Sequence, residues 1–151
     1  MSTEHVLPPV AVSVTVARPA AEAFDLFTAG IDRWWPRSAY SISEARTARC
    51  VLECFAGGAV YEVRDDGARF AWGQVLAFER PRRLLLSWHP GRPPEQAQEV
   101  EVRFHEEGEG TRVSLEHRGW ERLGVEAAGV REGYQGGWQT VLGKHYVEAL
   151  P

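Results

Sequence analysis

The chain is poor in the features that announce most function classes. No stretch of its 151 residues approaches the run of about 18 apolar residues that a membrane-spanning helix needs. Its opening MSTEHVLPPV carries an early Glu and adjacent prolines but no signal-peptide apolar core, so a cytoplasmic protein is expected. There are only two cysteines, Cys50 and Cys54. On a strand they share a face about 13 Å apart, too far for a disulfide. No further ligand lies close in sequence to complete a zinc site. Both are expected as buried free thiols, and no metal is expected. Gly-x-Ser-x-Gly, a phosphate loop, a dinucleotide fingerprint and His-Glu-x-x-His are all missing. No cofactor is implied, and any enzyme would have to rest on a sparse acid–base pair in an apolar pocket. The net charge of −4 argues against nucleic acid and an anionic membrane surface as partners. The ten Glu and five Arg of residues 95–132, and the Arg80, Arg82, Arg83 cluster, read as solvated faces and turns.

Aromatic side chains are what the sequence does have: six Trp, six Phe and four Tyr. They fill cores, and they also line pockets for flat apolar ligands. The length suits one domain over residues 1–151, with 1–9 as a flexible N-terminal tail. A chain this long buries roughly 70% of its unfolded surface and needs no staple.

Val10 to Ala17 alternates strictly and reads as a half-buried strand. Ala20 to Thr28 reads as a short helix with Ala23, Phe24 and Phe27 inward, and Pro19 and Glu22 suit its start. Ile31 to Trp35 is a second helical turn, ended by Pro36. Strands follow at 46–55, 59–64, 69–79, 83–88, 99–105 and 111–117, with a hairpin signal at Asp65-Asp66-Gly67. On the third of these, Phe70, Trp72, Leu76 and Phe78 are expected to share a face, although a one-residue slip would turn Trp72 over. Strands grouped in this way imply a curved antiparallel sheet of six to seven strands in an α+β domain.

Glu126 to Leu150 closes the chain as one long amphipathic helix. Val130, Tyr134, Gly137, Trp138, Val141 and His145 fall on one face. Gly133, Gly136 and Gly137 each cost such a helix roughly 1 kcal/mol relative to Ala. Gly137 lies among large apolar neighbours, which gives two readings: a hollow forming one wall of a ligand cavity, or close packing on the sheet. Trp35, Trp72, Trp88, Trp138 and Val141 are the candidate walls. Trp34-Trp35 is read as core or rim packing, or as one indole inward and one capping an opening or meeting a partner. His117 shares the inward phase of Val113 and Leu115, as a ligand contact, a general base or a satisfied core histidine. A buried Tyr134 hydroxyl needs a partner, and a ligand or His117 could provide it. Glu62 is expected outward.

Several local motifs appear in a telling order. They are Trp34-Trp35-Pro36, Gly57-Gly58 with Val60-Tyr61-Glu62, Trp72-Gly73-Gln74-Val75, Leu84-Leu85-Leu86-Ser87-Trp88, His117-Arg118-Gly119-Trp120 and Gly137-Trp138. Together they resemble the START-like (SRPBCC) superfamily, whose helix-grip fold is shared with the birch-pollen allergen. Bacterial homologues of the heat-shock ATPase activator (AHSA1-like) are the nearest match. Gly143-Lys144-His145-Tyr146 departs from the leucine ladder that usually continues that family's last helix. The resemblance implies a cavity between sheet and helix that binds lipids, polyketides, plant hormones or other hydrophobic molecules. The leading expectation is binding of a small hydrophobic ligand. The alternatives are an interaction protein stimulating a chaperone ATPase through the sheet face and the Trp34-Trp35 region, or a polyketide cyclase/dehydratase-like enzyme using His117 and Tyr134. A monomer or a homodimer is expected.

Overall fold

The computed structural model describes residues 7–150. The expected N-terminal tail therefore lies mostly outside the described residues. Its last part is tied down, because the Arg131 guanidinium donates to the carbonyls of Pro8 at 2.5 Å and Pro9 at 3.1 Å.

Strand β1 (Val10–Val16) is followed by helix α1 (Ala20–Phe27) and a 3₁₀ turn at Ile31–Arg33. Then come β2 (Thr47–Leu52), β3 (Ala59–Arg64), β4 (Arg69–Glu79), β5 (Arg83–Trp88), β6 (Gln98–Glu107) and β7 (Gly110–Arg118). After a 3₁₀ stretch at Trp120–Glu126, helix α2 (Ala127–Thr140) runs directly into a π-turn at Val141–Tyr146. The seven strands form one antiparallel sheet in the order β1-β7-β6-β5-β4-β3-β2. Successive hairpins account for β2 to β7, and β1 returns to pair with β7. The sheet curls around the C-terminal helix in a helix grip, and no helix among the described residues is long and apolar enough to cross a membrane.

Alternation builds most of the core. Val100, Val102, Phe104, Val113 and Leu115 point inward, as do Leu84, Leu86 and Trp88. The outer face is not simply solvated. Glu101 is expected outward and does lie on that face, but it is buried beneath three arginines: Arg83, Arg103 at 3.0 Å and Arg118 at 2.9 Å. Their guanidinium groups close over its carboxylate and hold its pKa below the ordinary value despite burial.

Four expectations are corrected. Glu62 is fully buried rather than outward. Cys54 is exposed, and only Cys50 is a buried thiol; β2 ends at Leu52, so Cys54 lies beyond the strand. Leu76 faces solvent and Val75 takes the inward place. The cause is a pair of register shifts along β4, one opposite Val60/Tyr61 and one at Val75/Ala77. Each adds a residue to one strand and reverses its face. Trp72 remains inward.

The fourth correction is at the C-terminus. His145 is expected on the apolar face but is only half-buried, while Tyr146 is fully buried. A π-turn spaces its hydrogen bonds five residues apart, so the residue aligned with Val141 becomes Tyr146 instead of His145. The Tyr146 hydroxyl donates to the Ala23 carbonyl at 2.6 Å, and its ring meets Phe27 and Trp34 edge-on. The departure from a leucine ladder thus fixes the helix end to α1.

Gly73 is where the curl demands a missing side chain. A Cβ there would sit 1.8 Å from the Ser87 carbonyl oxygen, whereas one at Gly133 would meet nothing within 4 Å. Gly73→Ala is expected to destabilise the fold by about 3 kcal/mol or more. Gly133→Ala should raise stability by roughly 0.5–1 kcal/mol. Urea unfolding midpoints of the two variants against wild type check both signs.

Candidate functional site

A cleft of about 460 Å³ opens between the sheet and α2. Trp35, Trp72 and Trp88 form its floor, and α2 contributes Tyr134, Gly137 and Trp138. Neighbouring indole centroids lie 5.0–6.0 Å apart, with Trp35 touching Trp72, Trp88 and Trp138. These are tilted and edge contacts of the kind aromatic quadrupoles favour.

Every N–H of these four indoles is used by the protein. Trp35 donates to the Tyr40 carbonyl at 3.0 Å and Trp72 to Glu62 Oε1 at 2.6 Å. Trp88 donates to the Tyr134 hydroxyl at 3.2 Å and Trp138 to His117 Nδ1 at 3.0 Å. With their polar edges satisfied, the four rings pack on one another as an apolar cluster at the base of the cleft and are themselves only 1–7% exposed.

His117 lies behind this wall and is not among the residues lining the cleft. An indole N–H can only donate, so His117 Nδ1 must accept. The ring proton is therefore on Nε2, which donates to Gln98 Oε1 at 3.1 Å. Gln98 in turn donates to the Gln96 carbonyl at 2.5 Å. Trp120 stacks on the other side at 4.2 Å. Burial pushes the imidazole pKa down from 6.5 to about 3. Of the readings weighed for this residue, the geometry is that of a satisfied core histidine. Its one basic lone pair is occupied by Trp138, which removes the general base from the cyclase-like alternative.

Glu62 carries an unanticipated job. Its carboxylate accepts the backbone N–H groups of Ile42 and Ser43, both at 2.7 Å, as well as the Trp72 indole. Burial alone pushes the carboxyl up, but these hydrogen bonds outweigh it and hold the pKa below its ordinary value. The segment so held carries Ala39 to Ile42, which form one rim of the cleft, with Pro90 and Gly91 forming another. Tyr40 sits over Gly137, its Cε1 3.4 Å from where a Cβ would stand. The sequence signal for Glu62 was its inward phase with Val60, which is also fully buried. Nothing local marks the rim loops.

The structure thus gathers Trp35, Trp72, Trp88, Tyr134, Gly137, Trp138 and Val141 around one cleft and leaves His117 outside it. Trp34 and Trp35 are both buried, at 5% and 7% exposure, so of the readings weighed for the pair it is core packing that both adopt. Among the described residues, no group of three or more His, Cys, Asp or Glu is placed to hold a metal ion.

Residues 17–148 match the family model for Activator of Hsp90 ATPase homolog 1-like protein. The chain belongs to this family. Among solved structures, it is 34% identical to the anthrahydroquino-gamma-pyrone synthase Txn09, over 86% of this chain and 88% of that one, with a TM-score of 0.60. It is 28% identical to CalC, a self-sacrificing resistance protein from Micromonospora echinospora, over 95% and 94% of the two chains, with a TM-score of 0.71. A Bacillus halodurans protein at 21% identity shares the fold over 97% of this chain and 99% of that one, with a TM-score of 0.70. No curated protein matches the chain.

The neutral histidine gives the site a pH signature. Between 6.5 and about 3 the unfolded ring binds a proton that the folded ring refuses. Its contribution to stability is therefore full above 6.5 and is lost as pH falls toward about 3, with a slope of up to about 1.4 kcal/mol per pH unit. His117→Gln should flatten the dependence of unfolding free energy on pH between about 6.5 and 5, above the range where carboxylates titrate. Urea unfolding across that window measures it.

Proposed function

We propose that the chain is a binding module for a small, flat, predominantly apolar molecule held in the indole-floored cleft beneath α2. The observation that carries this reading is the pairing of satisfied indole edges with a side-chain gap at Gly137. The cleft they border is large enough for a drug-sized ligand, and the helix residue beside it contributes no bulk. A synthase and a resistance protein among the similar structures are consistent with a small-molecule guest in this fold.

A second reading, chemistry on the bound molecule, draws on the synthase at 34% identity. In this chain it would rest on Tyr134 rather than on a His117–Tyr134 pair, since the imidazole lone pair is engaged by Trp138. Stimulation of a chaperone ATPase draws on the family description alone.

Gly137→Leu should crowd the cleft and push aside Tyr40, weakening uptake of an anilinonaphthalene sulfonate dye about tenfold or more. Dye fluorescence titration against wild type reads the effect. Equal uptake by the two proteins refutes the cleft as the binding site.

A further inference from the structure

The Tyr134 hydroxyl has a proton that the protein does not use. Its oxygen accepts the Trp88 N–H at 3.2 Å, and because an indole nitrogen only donates, that contact cannot take the phenol proton. The His117 ring packs against the Tyr134 ring, with centroids 4.6 Å apart. Its Nδ1 is filled by the Trp138 N–H and its Nε2 carries the proton donated to Gln98. Neither nitrogen can accept from Tyr134. Among the described residues the hydroxyl donates no hydrogen bond, although the residue lines the cleft. The ring is held between Trp120, at 5.8 Å, and Trp138, at 6.3 Å, so the hydroxyl is fixed in place.

Resting on the binding reading above, we propose that the occupant is an aromatic molecule carrying an oxygen acceptor, a ketone or quinone carbonyl, which accepts a hydrogen bond from the Tyr134 hydroxyl. Plain hydrocarbon would leave a buried donor unmet, at a cost comparable to a lost hydrogen bond. A hydroxyl that already accepts an N–H is polarised into a better donor. Burial also raises the phenol pKa, so the proton stays on the oxygen at neutral pH. The surrounding indole faces favour a flat ring system over a flexible acyl chain. Tyr134 is thus the specificity-determining residue of the cleft.

Fluorenone and fluorene differ by one carbonyl and suit the test. Equilibrium dialysis of both against wild type and Tyr134→Phe gives the ratio of their affinities. The ratio of fluorenone to fluorene binding should fall about fivefold to tenfold in the variant. The carbonyl stretch of fluorenone bound to wild type should also lie below its position in hydrocarbon solvent, a readout that does not depend on the variant folding. An unchanged ratio, or a stretch at the hydrocarbon position, overturns the anchor while leaving the cleft reading intact. If wild type binds neither compound, the cleft reading fails and the anchor fails with it.

Discussion

The site depends on where four indole N–H groups go. A buried donor without an acceptor is costly, and each tryptophan of the cleft meets that demand with a different kind of partner: a carbonyl, a carboxylate, a phenol and an imidazole. Once those bonds are made, the rings cannot rotate freely. Their planes are set, and the space between sheet and helix acquires a rigid apolar floor. His117 and Glu62 then read as second-tier supports. Each is charged or basic by nature, and each is spent on aiming an indole.

Glu62 extends that logic to the rim. One carboxylate joins Trp72 on the floor to the backbone of Ile42 and Ser43 at the edge. Trp35 adds a second tie through the Tyr40 carbonyl. The loop between the short helices and β2 is therefore fastened to the same aromatic cluster it borders, so the shape of the opening and the orientation of the floor are coupled. A local disturbance at either is felt at the other through groups in direct contact.

Much of this was legible in the sequence, for physical reasons. Period-two alternation gave β1, β6 and β7, and the clustered strands with hairpin turns gave an antiparallel sheet. The aromatic residues lining the cleft were visible because they combine inward phase with large ring surface. What was hidden depends on contacts distant along the chain. The two irregularities in β4 exchange Leu76 for Val75, and no local pattern distinguishes that slip from regular alternation. Glu62 looked too polar to bury, because its donors come from a loop some twenty positions earlier. His117 was correctly placed inward, but its role depended on which groups met its two nitrogens.

The π-turn divides the last helix into two parts with separate obligations. Upstream of it, α2 presents Tyr134, Gly137 and Trp138 to the cleft. At its far end, Tyr146 is bolted to α1 by a hydroxyl–carbonyl bond and an edge contact with Phe27, and it also meets Trp34 edge-on. Because the wide turn absorbs the change in phase, the upstream wall can be rewritten without loosening the downstream bolt. Related chains could therefore diversify their guests by substitution along a short span while inheriting an unaltered clasp.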